Sequence, residues 1–259
     1  MFKPYNAYRS WIFTCLLASI LFSACNSDSD GVDLLFKPQK GFSESYLISE
    51  ETKNSSVKLK TTKEIRVIAD GMLDDAYRMK FNLISVYSLS NYFGEDEIYD
   101  SKKAVSEMSG SELSVHNDYM DYLDIPISFK LDSRGKLVDD IDFKGSQSLR
   151  NLYFDLNLFQ ITYPKDKVKV GSTWTNSWQN EFISGKTDVV SAYEVVKMDS
   201  SKVEIKLQQA IKVPSLPDKI KEGTYIIDRE SGILESVTMT ADLIKGGVLM
   251  YSIRRLENQ

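Results

Sequence analysis

Cysteine and histidine are nearly absent from this chain. Its 259 residues include two cysteines, Cys15 and Cys25, and one histidine, His116. Both cysteines lie near the N-terminus, so the rest of the chain can form no disulfide, thiolate metal site or thiol nucleophile. A lone histidine excludes multi-histidine metal centres and confines any Ser–His relay to one position. Neither a G-x-S-x-G elbow nor a phosphate-cradling glycine loop occurs. Basic excess is missing too, with 32 Lys and Arg against 37 Asp and Glu and a net charge of −5. No nucleic-acid partner is expected, because phosphate recognition needs a basic face. These absences predict no catalytic centre, no metal site and no cofactor.

What is present begins with the N-terminus. Lys3 and Arg9 precede an apolar run over 11–22. That run falls short of the roughly 20 residues of a membrane-spanning helix. With the small residues Ser23 and Ala24 behind it, the pattern is a secretory signal. Cys25 follows directly, which resembles a bacterial lipobox with Phe22 in the usual leucine position. The resemblance implies cleavage after residue 24 and acylation of Cys25, palmitate included. Residues 25–32 then form a polar tether. Asp28 and Asp30, separated by Ser29, resemble the export signal of surface lipoproteins in the Bacteroidota. The expected location is the outer membrane, on the cell surface or the periplasmic face.

Beyond the tether the chain reads mainly as antiparallel β-structure. Over 77–89, Tyr77, Met79, Phe81, Leu83, Tyr87 and Leu89 alternate with polar residues, the signature of a strand with one buried face. Thirteen residues at about 3.3 Å each would span roughly 43 Å, so this strand should be bent, bulged or wrapped. Val203, Ile205, Leu207, Ile211 and Val213 alternate in the same way. Weaker alternation runs over 57–69, 125–131, 187–196 and 233–243. Helical spacing appears over 146–160, with Ser146 as a candidate N-cap, and more faintly over 111–123.

Two pairs of segments echo each other. Leu131–Leu137 (LDSRGKL) matches 227–234 (IDRESGIL), each joining candidate strands through an aspartate and a glycine. Pro38-Gln39-Lys40-Gly41 before Tyr46 likewise matches Val168-Lys169-Val170-Gly171 before Trp174. The expected organisation is a single domain over 33–259, built from two loosely repeated halves, 33–145 and 161–259, joined by a helix.

The segments FKPQKGFSESYLIS (36–49), YDSKK (99–103), ISFKLDSRGKL (127–137), PKDKVKVGSTWTNSW (164–178) and GTYIIDRESGILES (223–236) resemble, in order and spacing, a family of Bacteroidota lipoproteins, the domain of unknown function 6263. The resemblance covers nearly the whole chain behind the leader. It implies class and location and supplies no catalytic residues.

Several constellations invite functional readings. Trp174 and Trp178 share one face of a candidate strand beside Thr173, Thr175 and Ser177, a pair able to stack on a sugar ring or aromatic ligand. Together with Tyr87 they form the candidate ligand-binding set. Glu95, Asp96, Glu97 and Asp100 could supply oxygens to a hard cation but lack EF-hand spacing. Asp139, Asp140 and Asp142 suggest a glycosidase pair, yet adjacent strand residues face opposite ways. His116 lies near Glu112 and Asp118 in a polar stretch.

The sequence therefore predicts an α+β domain, mainly antiparallel β, with a strongly curved sheet or two related half-sheets and one or two covering helices. The expected function is non-catalytic: a cell-envelope lipoprotein held to the membrane by acylated Cys25, binding a small apolar, lipid-like ligand, a peptide ligand or an envelope partner protein on the curved sheet. Two alternatives stay open, a hydrolase of envelope or polysaccharide material and a structural subunit of an outer-membrane assembly.

Overall fold

The computed structural model describes residues 31–54, 57–92, 95–138, 161–182, 185–212, 219–242 and 247–256. The leader, Cys25, Asp28, Asp30, the three aspartates at 139, 140 and 142, and the helix expected over 146–160 lie outside the described residues.

Eleven described strands join one sheet: β1 (Ser43–Lys53), β2 (Val57–Leu73), β3 (Ala76–Tyr92), β4 (Glu95–Asp100), β5 (Ile127–Asp132), β6 (Thr173–Phe182), β7 (Gly185–Met198), β8 (Lys202–Lys212), β9 (Lys219–Asp228), β10 (Leu234–Asp242) and β11 (Val248–Arg255). Their order is β4-β3-β2-β1-β11-β10-β9-β8-β7-β6, with β5 pairing the first part of β3. Each of these pairings is antiparallel. The sheet is curved and does not close on itself. Its centre is the β1–β11 pair, so the first and last strands meet in the middle and each flank is a meander. Local alternation dictates this outcome, since every long strand carries an apolar series on one face and must bury it.

Bulges set the curvature and correct one expectation. Ile84 is an extra residue in β3, between the pairs Ile65–Leu83 and Glu64–Ser85. A bulge shifts the side-chain phase by one residue. Met79, Phe81 and Leu83 are buried on the inner face, and beyond the bulge Val86 takes that role while Tyr87 is 39% exposed. Tyr87 and Leu89 therefore do not continue the buried series of 77–83; they stand on the outer face. Further bulges place Asp70, Val196 and Glu235 as extra residues. Asp70 and Glu235 are then free to take ion pairs with Lys80 at 2.8 Å and Lys202 at 2.6 Å.

The inner face is closed at one end by two extended segments. Val32 and Val168 bridge them with paired backbone hydrogen bonds of 2.8 Å. Leu34, Ile161, Tyr163 and Val168 are buried against the sheet. The two echoing turns clamp this strap: Phe36 N–H donates to Ser133 O at 2.9 Å, and Lys37 N–H to Ser231 O at 2.7 Å. In each turn an aspartate accepts from the turn backbone, Asp132 from Arg134 and Lys136, Asp228 from Ser231. Gly232, at φ +65°, packs so closely on the Leu35 carbonyl that no side chain fits. The second echo repeats a hydrogen-bond pattern. Gly41 N–H donates to Ala69 O and Ala69 N–H to Phe42 O; Gly171 N–H donates to Val195 O and Val195 N–H to Ser172 O. In both cases a bulge follows at once, at Asp70 and at Val196.

The fainter helix is present as α1 (Gly110–Tyr119), shorter than the 111–123 expectation. Its start is a capping box, with Ser109 Oγ accepting from Glu112 N–H and Glu112 Oε2 accepting from Ser109 N–H at 2.6 Å. These bonds and Lys103, 2.9 Å away, lower the Glu112 pKa to about 2. A few residues on, Tyr122 is buried, and Tyr119 stacks on Tyr99 with ring centroids 6.0 Å apart.

Candidate ligand site on the inner face

Strand register arranges the inner face of β6–β9 in rows. One row reads Trp174, Tyr193, Leu207, Gly223 and Met239. The next reads Asn176, Ser191, Gln209 and Lys221, and the one beyond it Trp178, Val189 and Ile211. Between the two tryptophan rows a polar row thus runs across four strands. Each strand contributes one residue to it at a position its alternation assigns to the inside, and the register aligns them.

A cavity of about 180 Å³ opens on this row, lined by Asn176, Trp178, Ser191, Tyr193, Gln209 and Tyr225, with Leu137 and Thr162 closing the other side. At about 30 Å³ per water, that is room for about six waters. Gln209 Nε2 donates to Ser191 Oγ at 3.1 Å, and Asn176 Nδ2 donates to Thr162 Oγ1 at 3.1 Å. Ser191 also hydrogen-bonds the Tyr193 hydroxyl. Tyr225 is only 2% exposed, and among the described residues its hydroxyl has no hydrogen-bond partner. Burial pushes the Tyr225 hydroxyl well above the ordinary phenol pKa and raises that of Tyr193, so both stay protonated at neutral pH. The cavity therefore offers aromatic walls, two amide carbonyls that accept no hydrogen bond among the described residues, and one phenol donor. None of the lining groups named above is a carboxylate.

The residues singled out from sequence divide between roles. Trp178 lines the cavity. Trp174 shares its face but acts as a structural anchor: its ring stacks on Tyr193 with centroids 5.1 Å apart, and its Nε1–H donates to Thr162 O at 2.9 Å. The structure does not bring Tyr87 to either tryptophan, because it points from the outer face of the far flank. The threonines beside the pair turn outward. Thr173 and Thr175 line an open groove of about 580 Å³ on the opposite face, with Glu194, Lys206 and Gln208. Asn176, Ser191, Gln209 and Tyr225 were missed by sequence reasoning. Their signal was a break in each apolar series: Leu207 to Ile211 skips Gln209, and Trp174 to Trp178 skips Asn176.

The acidic residues at 95–100 fall on β4 and split between its two faces. Asp96 accepts from Asn91 Nδ2 at 2.6 Å, and Asp100 accepts from the Lys102 backbone. Among the described residues no group of three or more His, Cys, Asp or Glu could hold a metal ion. His116 Nδ1 lies 3.2 Å from the Tyr99 hydroxyl, which burial raises to a pKa of about 12. No described helix is long and apolar enough to cross a membrane.

Fold and site together define a class: an open, curved antiparallel sheet with a strapped end and a small mixed-polarity cavity on its inner face. The sequence profile of a family of unknown function, DUF6263, matches residues 143–247. By structure, the chain is similar to lipovitellin in a study of its lipid–protein interactions, with a TM-score of 0.55 at 16% identity. The overlap covers 86% of this chain and 25% of the lipovitellin chain, so the chain spans a quarter of that protein's length. Two looser overlaps also occur. A provisionally assigned lipoprotein from Parabacteroides distasonis gives a TM-score of 0.35 at 11% identity, covering 86% of this chain and 97% of that one. A provisionally assigned outer-membrane lipoprotein-sorting protein domain from Vibrio parahaemolyticus gives 0.18 at 10% identity, covering 86% and 88%. At these scores neither defines a shared fold. No curated protein matches the sequence.

Proposed function

We propose that this chain is a non-catalytic lipoprotein of the cell envelope that binds an amphipathic, lipid-like ligand on the inner face of its sheet. The observation that carries this reading is the cavity where the apolar rows of β6–β9 meet the polar row. A filled core would show no such opening, and a hydrolytic site would be expected to present a carboxyl with a raised pKa. Among the described residues the carboxyls with shifted pKa are Glu51, Glu112 and Asp199, and all are lowered by hydrogen bonds to the charged form. The likeness to part of lipovitellin supports the reading at the level of fold, since curved sheets of this kind can present an apolar face to lipid.

Acylation of Cys25 would hold the domain at the membrane. Each buried methylene contributes about 0.8 kcal/mol, and more than one chain is needed for stable anchoring. With Gly31 already packed against the strap, a tether of six residues reaches at most about 20 Å. The strapped end of the sheet would then face the bilayer. The matched turns, hydrogen bonds and bulges support two repeated halves, 33–145 and 161–259, within one domain.

Native mass spectrometry of the intact protein tests the ligand reading. A non-covalent mass beyond the acylated chain, lost on denaturation, is the expected result. A clean acylated mass from gently extracted protein would overturn it.

A further inference from the structure

The cavity's unused hydrogen-bonding groups specify the chemistry of what enters it. Among the described residues, Asn176 Oδ1 and Gln209 Oε1 accept no hydrogen bond and the Tyr225 hydroxyl has no partner. All three line the cavity. Two carbonyl acceptors favour a ligand that brings O–H or N–H donors, and the phenol answers one oxygen of that ligand. Lys136 is among the residues that line the cavity, and Lys221 stands next in the polar row. The side chains that β6–β9 contribute to the lining are uncharged. Trp178 and Tyr193 supply flat apolar walls on which the C–H face of a ring can lie. The volume equals that of about six waters, the size of one small ring and its hydroxyls.

We infer that the Asn176–Gln209–Tyr225 cavity is a subsite for a neutral, hydroxyl-rich group of sugar-ring size. This rests on the reading of the inner face as a ligand site and deepens it by naming the polar part of the ligand. Two sources share that chemistry: the head of a neutral glycolipid and a free saccharide. A phosphorylated head is disfavoured, because the acceptors would repel its oxygens and burial would strip its hydration.

Tryptophan emission reports occupancy, since Trp178 lines the cavity while Trp174 is held by its stack and hydrogen bond. Full-length protein in nanodiscs of phosphatidylethanolamine and phosphatidylglycerol is titrated with methyl β-glucoside, with octyl β-glucoside below its micellar concentration, and with octylphosphocholine. Saturable emission changes with the sugar-bearing probes, absent in Trp178→Phe, are expected. Tyr225→Phe, which keeps the ring, should weaken both about fivefold, the worth of one hydrogen bond. Equal affinity for the two glucosides identifies a saccharide, and tighter binding of the octyl compound identifies a glycolipid. No saturable response to either glucoside, unchanged affinity in Tyr225→Phe, or octylphosphocholine binding as well as octyl glucoside would each overturn the subsite. A non-covalent lipid mass seen despite that result would leave the broader ligand reading standing.

Discussion

Three glycines give a graded test of the packing. Gly232 sits at φ +65°, where an added Cβ would meet the Leu35 carbonyl and, at 3.1 Å, the Tyr163 ring. Left-handed backbone costs an L-residue about 1–2 kcal/mol and overpacking about 1–3 kcal/mol. Neither neighbour can yield, because Tyr163 is tied by its hydroxyl to Gly232 O at 2.7 Å and Leu35 belongs to the clamped strap. Gly232→Ala should therefore cost about 3 kcal/mol or more. Gly223 lies within β9 without a left-handed φ, and its added Cβ would meet Met239 Cγ and Thr238 O, each at 2.5 Å. Relief of glycine's strand penalty, about 0.5–1 kcal/mol, offsets part of the crowding, leaving about 1–2 kcal/mol. Gly110, in the first turn of α1, meets nothing within 4 Å, so alanine there should stabilise by about 0.4–1 kcal/mol. Thermal unfolding followed by circular dichroism reads the order, at about 2–4 °C per kcal/mol for a domain this size. If Gly232→Ala melted within a degree of wild type, the clamped strap would be wrong.

Other consequences follow from single groups. Tyr46→Phe removes a buried 2.9 Å hydrogen bond to Leu234 O and should cost about 1–2 kcal/mol in urea titration. Burial raises the pKa of Tyr46, Tyr163, Tyr193 and Tyr225 above that of the unfolded chain. Their contribution is thus complete below about pH 10 and lost as pH rises beyond it, so the share of the 295 nm tyrosinate signal that belongs to these four should appear only with unfolding. Glu112 has the opposite sign: its pKa, lowered from 4.5 to about 2, supports the capping box above about pH 4.5 and withdraws that support as pH falls towards 2. Protection factors of the α1 amides, taken relative to the intrinsic exchange rate at each pH, should fall over that window in wild type, and Glu112→Gln should flatten the dependence. Cys25→Ser should move the protein from the membrane fraction to the soluble one, whereas continued sedimentation with membranes would count against the anchor.

Much of the sheet was legible because period-two alternation needs no tertiary knowledge. Tyr77–Leu83 and Val203–Leu207 bury the residues their patterns nominate. Phase was not legible across a bulge. Nothing local to Ile84 marks it as the extra residue, and that one insertion carried Tyr87 to the outer face. The tryptophan pair was readable as a shared face, but separating an anchor from a cavity wall needs Thr162, twelve residues before Trp174. Asn176, Ser191 and Gln209 look like isolated polar substitutions until register aligns them. Both echoes of turn chemistry were visible, while their common task of clamping the strap depends on partners up to 194 residues apart, as in the Lys37–Ser231 hydrogen bond.

The claim that the inner face of β6–β9 holds a ligand is tested most directly by comparing what co-purifies with wild type and with Gln209→Trp. Gln209 is only half-buried at the cavity edge, so an indole can occupy the space while the strands keep their pairing. Both proteins would be extracted identically, checked for the same β-sheet circular dichroism, and weighed by native mass spectrometry before and after denaturation. A non-covalent mass present on wild type and missing from Gln209→Trp is the expected result. The same mass on both proteins, or on neither, would contradict it.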